Sequence, residues 1–148
     1  AGVSITPGRM PWRSARGLRF LDDSYNANPD SACAALAALM ALKGAGRRIA
    51  VLGRMGELGA FEQAGHEQVG RMAAQCGVDA LLSVGDSPAL QQLGEAAKAA
   101  GLACWQHFGT HDEAVQWLRA NTAAGDAVLL KGSRAAAMET IFSRYQAS

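Results

Sequence analysis

LRFLDDSYNANPDS, residues 18–31, decides the fold because it combines a strand, a polar loop and a helix start. The letters LRFL supply an apolar strand, and Asp22 and Asp23 mark its carboxyl end. Asn28 is a favoured helix N-cap, and Pro29 suits the first helical position, where its missing N–H costs nothing. Strand, loop and helix in this order predict the repeating unit of a parallel α/β sheet.

The loop inside this stretch is unusually polar. In open α/β sheets, ligands bind beyond the carboxyl ends of the strands. Two carboxylates, a phenol and two carboxamides lie at that position: Asp22, Asp23, Tyr25, Asn26 and Asn28. A structural turn needs one or two such groups, so the loop is predicted to be a binding site. Asn28 and Pro29 are equally compatible with a simple helix start.

Four further strand–helix units follow at steady spacing. The predicted strands are 18–23, 48–53, 80–85, 102–108 and 127–131, and the predicted helices are 29–43, 62–76, 88–100, 112–123 and 135–145. Strands that are apolar throughout and alternate with helices indicate a parallel sheet covered on both faces. In helix 62–76, Phe61, Gly65, Val69, Met72 and Cys76 are expected to line one side. His66 fits packing or surface exposure better than catalysis.

The segment before the first parallel strand predicts a hairpin. Residues 9–13 form its first arm, residues 14–17 its turn, and Pro11 marks the arm as an edge. The expected fold class is a Rossmann-like three-layer α/β/α fold, with a mainly parallel sheet of five strands plus an antiparallel edge strand. Residues 1–8 are expected to be a linker or entry segment, and residues 9–148 one domain.

Composition restricts the classes of partner. The 148 residues are 49% hydrophobic and 18% charged, with a formal net charge of +1. This balance gives no electrostatic reason for binding nucleic acid or an anionic membrane, and the apolar runs are too short to span a bilayer. Cys33, Cys76 and Cys104 are odd in number and far apart, which favours reduced thiols in the cytoplasm. The cysteines and histidines show no metal-ligand spacing.

A second polar cluster follows the last strand. Lys131, Gly132, Ser133 and Arg134 open a helix and offer backbone N–H groups, a hydroxyl and two cations to a phosphate or carboxylate. No GxxxxGK or GxGxxG pattern occurs in the chain. Any ligand at this edge is therefore expected to be held by side chains rather than by a glycine-rich loop.

These motifs carry a family resemblance. DDSYNANPDS, VLGRMGELG, HEQVG, VLLKGSR and AAAMETI together resemble the C-terminal domain of the Mur ligases. The resemblance runs from TPGRM to the last helix. It is strongest for the type that adds D-alanyl-D-alanine to UDP-N-acetylmuramoyl-tripeptide in cell-wall synthesis, which carries the YNANP block. One position departs: Arg54 stands where the family block usually has an acidic residue.

The resemblance implies an ATP-dependent amide ligase with three domains. ATP, with magnesium, phosphorylates a substrate carboxylate, and the incoming amine attacks the acyl phosphate. The N-terminal domain holds the UDP sugar, the central domain carries the P-loop and metal ligands, and the third domain closes over the nucleotide and brings the amino substrate. This chain resembles the third domain alone. It is therefore expected to be inactive alone and to have the other two domains of the same polypeptide as partners.

The resemblance also assigns residues. Asp23 would accept hydrogen bonds from the ATP ribose, with Tyr25, Asn26 and Asn28 on the adenine side. Arg9 would act in catalysis by approaching the terminal phosphates.

Lys131, Ser133 and Arg134 would face the incoming dipeptide, whose carboxylate needs a cation. The family's strand order places the last strand beside the first, so the two loops would be neighbours.

Two alternatives remain. A receiver-type phosphoacceptor domain has acids after its first and third strands, a hydroxyl after the fourth and a lysine after the fifth. The residues at the matching positions of this chain are Asp22 and Asp23, Asp86, Thr110 and Lys131. Against it, Gly132 stands where the receiver pattern has proline, and YNANP stays unexplained. Another Mur-type ligase, which adds glutamate or a diamino acid, is the second alternative.

Overall fold

Strands and helices alternate along the chain in the computed structural model, which describes residues 12–23, 27–56 and 58–147. The strands are β1 (Trp12–Ala15), β2 (Leu18–Asp23), β3 (Arg48–Gly53), β4 (Ala80–Val84), β5 (Trp105–Phe108) and β6 (Ala127–Lys131). The helices are α1 (Pro29–Ala41), α2 (Glu62–Cys76), α3 (Pro88–Ala99), α4 (His111–Asn121) and α5 (Glu139–Ala147). Within these ranges, none of the helices is long and apolar enough to cross a membrane.

One sheet contains all six of these strands. Its order is β1-β2-β6-β3-β4-β5; β1 pairs antiparallel with β2, and the other pairings are parallel. This confirms the predicted fold class, including the antiparallel edge strand. It also confirms that the last strand lies beside the first parallel strand. Because Asp23 and Lys131 are register partners, the two predicted polar loops begin side by side.

Alternating strand residues face two separate cores. On β3, Ala50 and Leu52 join the cluster beneath α1, α2 and α3, whereas Ile49 and Val51 join the cluster beneath α4 and α5. These four side chains are at most 2% exposed. The continuous apolar runs of the parallel strands therefore reflect burial on both faces, as expected for a sheet between two helical layers.

Three predicted strand boundaries are wrong, and one of them is the end of β4, which lies at Val84 rather than at residue 85. β5 begins at Trp105 rather than at residue 102, because the Leu102 amide bonds the Ala97 carbonyl and still belongs to the end of α3. The hairpin turn contains only Arg16 and Gly17, so residues 14 and 15 belong to β1. Both turn residues have positive φ, 49° and 87°, as a two-residue hairpin turn requires.

The predicted start of the last helix is also wrong. α5 begins at Glu139, and a short 3₁₀ turn over Arg134–Ala136 precedes it. Ala137 separates the two with a left-handed backbone, φ 50°. A β-carbon on Gly132 would lie 2.8 Å from Met138 Cγ, so the interrupted segment packs directly over the end of β6.

Phe61 does not belong to the buried side of α2, as the sequence pattern had suggested. Phe61 is 75% exposed, because it belongs to the 3₁₀ turn over Gly59–Phe61 that precedes the helix. The buried side of α2 comprises Gly65, His66, Val69, Gly70 and Ala73.

Candidate functional site

The carboxyl ends of β2 and β6 meet in an ion pair. Lys131 Nζ donates to Asp23 Oδ2 at 2.8 Å. The Lys131 side chain is 2% exposed, and the Asp23 side chain is 27% exposed. The sheet order causes this contact because β6 is inserted between β2 and β3. The buried ammonium of Lys131 therefore fixes the partly exposed carboxylate of Asp23 at the start of the loop that is predicted to bind the nucleotide.

The loop itself is described only in part. Arg9, Tyr25 and Asn26 lie outside the described residues, so their predicted roles stay predictions. Asn28 caps α1: its Oδ1 accepts from the Ser31 amide at 2.8 Å, and its own amide donates to Ser31 Oγ at 3.0 Å. Since the Asn28 residue is exposed, capping leaves its side chain at the surface.

A cleft of about 450 Å³ opens beyond the ends of β3, β4, β5 and β6. Its charged and imidazole-bearing lining residues are Arg54, Asp86, His111 and Arg144. Hydroxyl, glycine and apolar residues complete the lining: Ser87, Thr110, Ser133, Gly85, Gly109, Val84, Leu90, Ala135 and Ala136. A cleft at this edge is where open α/β sheets bind ligands.

The cleft lining carries two arginines and one aspartate, and an acidic residue pairs with each arginine. Arg54 Nη2 lies 2.5 Å from Glu62 Oε1, and Arg144 Nη1 lies 2.7 Å from Asp112 Oδ1. Both arginine side chains are about half exposed, 47% and 51%, so they can also contact a ligand. The guanidinium of Arg54 donates a hydrogen bond that lowers the pKa of the Glu62 carboxyl.

Two helices begin at the cleft. Ser87 caps α3 by accepting from the Ala89 amide, and Thr110 caps α4 by accepting from the Glu113 amide. Helix N-termini favour negative charge. With the two arginines, they make the cleft suitable for a carboxylate, and Asp86 offers an acceptor for a cationic group.

The three residues predicted to face the amino substrate do not share one surface. Ser133 lines the cleft, and its amide donates to the Arg54 carbonyl at 2.9 Å. Lys131 is buried beside Asp23, and Arg134 lies exposed on the 3₁₀ turn, outside the cleft lining. Contact of Lys131 or Arg134 with substrate stays a prediction.

The sequence interpretation missed Arg144 as a site residue. Arg144 reaches the cleft from α5, so no strand-end pattern marks it. Asp86 and Thr110 had been noticed only as strand ends, although both line the cleft.

His66 is fully buried between α2 and the loop after β3. Its Nδ1 donates to the Glu62 carbonyl at 2.7 Å, and its Nε2 accepts from the Met55 amide at 3.0 Å. The residue is 0% exposed. Burial lowers the pKa of His66 below its ordinary value, although the bond to the Glu62 carbonyl acts in the opposite direction. His66 is thus a packed, hydrogen-bonded residue outside the cleft lining.

The strand order excludes the receiver alternative. Receiver domains belong to the doubly wound class with parallel strands in the order 2-1-3-4-5. Counted from β2, the parallel strands of this chain lie in the order 1-5-2-3-4. Lys131 therefore neighbours Asp23, while Asp86 follows β4, three strands away from β2 in the sheet.

Among residues 12–23, 27–56 and 58–147, no group of three or more metal-ligating side chains occurs.

Comparisons with known proteins agree with this geometry. The family model described as "Mur ligase, glutamate ligase domain" matches residues 8–134. The UDP-N-acetylmuramoyl-tripeptide–D-alanyl-D-alanine ligase of Escherichia coli is 38% identical over 99% of the chain, and that of Mycobacterium tuberculosis is 35% identical over 84%. The chain covers 31% and 28% of those relatives, so it spans about a third of their length or less.

Solved structures give the same result. The MurF ligase from Thermotoga maritima in complex with ADP matches with a TM-score of 0.77 and 26% identity, over 99% of this chain and 32% of that one. MurF from Acinetobacter baumannii matches with a TM-score of 0.77 and 29% identity, over 98% of this chain and 31% of that one.

Proposed function

The chain belongs to the Mur ligase family through its glutamate ligase domain, and we propose that it is the C-terminal domain of a peptidoglycan-synthesis enzyme. That enzyme would be an ATP-dependent ligase that joins D-alanyl-D-alanine to UDP-N-acetylmuramoyl-tripeptide through an acyl phosphate. The other two domains of the polypeptide would supply the P-loop, the magnesium ligands and the UDP-sugar site. Because the reaction would use ATP and nucleotide-linked precursors, it would take place in the cytoplasm.

One observation carries the proposal: two distinct polar sites share one edge of the sheet. The Asp23–Lys131 pair lies at the ends of β2 and β6, and the cleft that contains Arg54 and Arg144 lies at the ends of β3 to β6. A ligase must bring an activated carboxylate and an amine together. Adjacent nucleotide and amino-substrate sites on one edge support that chemistry.

The nucleotide would bind on the β2 side. Lys131 engages Oδ2 of Asp23, and the remaining oxygen of this 27% exposed carboxylate can accept from ribose hydroxyls. Tyr25, Asn26 and Asn28 would contact the adenine, and Arg9 would approach the terminal phosphates. Because Lys131 already pairs with Asp23, we assign it to the nucleotide side rather than to the dipeptide.

The dipeptide would bind in the cleft. Its carboxylate would pair with Arg144 or Arg54, whose side chains are about half exposed. Ser133 would add a hydroxyl contact. Asp86 would orient the amino end, which must be uncharged when it attacks. Small apolar lining such as Ala135 suits the methyl groups of D-alanine. Arg134 stays a candidate for contact from the rim.

The test is a ligation assay with the complete polypeptide that contains this chain. UDP-N-acetylmuramoyl precursors that carry one, two or three peptide residues are incubated with ATP, magnesium and one amine: D-alanyl-D-alanine, glutamate or a diamino acid. The amide product and ADP are then quantified. The proposal predicts product with D-alanyl-D-alanine only, and none from the 148-residue chain alone. Product with glutamate or the diamino acid would favour the other Mur-type ligase, and no amide with any amine would refute the ligase proposal.

A further inference from the structure

A single peptide group joins the buried side of α2 to the floor of the cleft. This is the peptide between Arg54 and Met55, in the loop after β3. Its N–H donates to His66 Nε2 at 3.0 Å, and its carbonyl accepts from the Ser133 amide at 2.9 Å. The two opposite edges of one planar peptide group are therefore held by hydrogen bonds to two different elements.

The His66 ring is itself fixed in orientation. A carbonyl oxygen can only accept, so the 2.7 Å contact with the Glu62 carbonyl places the proton on Nδ1. The neutral ring then presents Nε2 as an acceptor to the Met55 amide. Since His66 is 0% exposed and the Met55 residue is 2% exposed, water cannot readily replace this bond.

The clamped peptide connects two cleft residues, Arg54 and Ser133. Arg54 contributes the carbonyl, and its side chain lines the cleft; Ser133 contributes the other amide and lines the cleft as well. The Arg54 guanidinium also forms an ion pair with the Glu62 carboxylate, and the Glu62 carbonyl accepts a hydrogen bond from His66 Nδ1. One buried imidazole thus organises the Arg54 backbone, its ion-pair partner and, through the shared peptide, the Ser133 loop.

We propose that His66 is a positioning residue for the amino-substrate cleft: its Nε2 fixes the Arg54–Met55 peptide and so aligns Arg54 with Ser133. This rests on the proposed function as regards the substrate, although the clamp itself is independent of any ligand. His66 contacts no substrate. A shift of the clamped peptide displaces two lining residues together, and small displacements of binding groups lower activity strongly.

Two substitutions separate the two ring nitrogens. His66→Gln places a side-chain oxygen near the Nε2 position and can retain the acceptor for Met55. His66→Asn reaches only the Nδ1 position, so it can keep the bond to Glu62 but leaves the Met55 amide without its acceptor. The variants have similar polarity and both remove the ring, so they form a matched pair.

Amide hydrogen exchange of the 148-residue chain tests the clamp without any substrate. His66→Asn is expected to increase the exchange rates of the Met55 and Ser133 amides by about tenfold or more, while amides of the β3 core exchange as in the parent chain. His66→Gln is expected to restore slow exchange. Equal exchange in both variants would overturn the clamp, even if the ligase proposal holds.

Steady-state kinetics of the complete polypeptide test the link to the cleft. His66→Asn is expected to raise the KM for D-alanyl-D-alanine about tenfold with little change in the KM for ATP, and His66→Gln is expected to reverse most of this. A parallel rise in both KM values, or an unchanged dipeptide KM despite faster exchange at Met55, would overturn the positioning role. Because exchange is measured on the free chain, its result separates this failure from a failure of the proposed function.

Discussion

Replacing Asp23 by alanine removes the carboxylate that faces a lysine ammonium with only 2% side-chain exposure. The partner that remains after the substitution determines the cost. Asp23→Ala removes the carboxylate that Lys131 Nζ contacts at 2.8 Å while the ammonium stays buried, so its expected cost is about 3 kcal/mol, the lower end of the range for breaking a buried pair. Lys131→Met instead leaves the Asp23 carboxylate, which is 27% exposed and can be partly hydrated. Its expected cost is about 1.5–3 kcal/mol, the range of a charged hydrogen bond.

The chain provides a matched control for burial. Arg144 and Asp112 form a pair with nearly the same separation, 2.7 Å against 2.8 Å, but their side chains are 51% and 65% exposed. Asp112→Ala is therefore expected to cost only about 1 kcal/mol, including the lost charge at the start of α4.

Urea denaturation of the 148-residue chain measures all three variants. The expected order of destabilisation is Asp23→Ala, then Lys131→Met, then Asp112→Ala. Equal costs for the two aspartate substitutions would refute the inference that burial of Lys131 controls the energy of the pair. A larger cost for Lys131→Met than for Asp23→Ala would refute the inference that the buried ammonium depends more on the Asp23 carboxylate than the carboxylate depends on the ammonium.

Three further outcomes are expected. Burial lowers the pKa of His66, so below its ordinary pKa of about 6.5 the unfolded chain binds more protons than the folded chain. The contribution of the neutral ring to stability is therefore full above that pH and is lost as the pH falls toward the folded-state pKa. His66→Gln should reduce the difference between the urea midpoints measured at about pH 7.5 and 5.5. Gly94→Ala should lower the free energy of unfolding by at least about 1–3 kcal/mol in thermal denaturation, because the new β-carbon would lie 1.8 Å from a Trp105 ring atom. Gly109→Ala is the control: its β-carbon would lie 3.8 Å from the nearest atom, Glu113 Oε1, so its cost should be no more than about 0.5 kcal/mol. Arg144→Gln in the complete polypeptide should raise the dipeptide KM about tenfold at an unchanged ATP KM; equal effects on both would argue against its place in the amino-substrate site.

The sequence predicts the strands best where they are buried on both faces. The predicted bounds of β3 and β6 agree with the structure, because a continuous apolar run between polar residues shows where a strand buried on both faces begins and ends. Breaks that depend on tertiary packing are not visible in the same way. The left-handed Ala137 and the 3₁₀ turn before α5 lie within a helix-favouring alanine run. The sequence of that run contains no breaker residue.

The candidate site shows the same limit. Asp23 and Ser133 were predicted from their positions at strand ends, and both lie at the sheet edge with Ser133 in the cleft. The burial of Lys131 could not be read from residue type, because it requires the insertion of β6 between β2 and β3. Arg144 enters the cleft from α5 rather than from a strand end, so only the assembled fold reveals it.

Hydrogen–deuterium exchange of the complete polypeptide tests most directly whether one sheet edge carries two adjacent sites. A nonhydrolysable ATP analogue and D-alanyl-D-alanine are added separately and then together. The account predicts that the nucleotide slows exchange at residues 22–28. The dipeptide, in the presence of the nucleotide, should slow exchange at residues 84–87, 109–111 and 133–136. Protection of residues 22–28 by the dipeptide, with no change in the three cleft segments, would contradict the assignment of the cleft to the amino substrate.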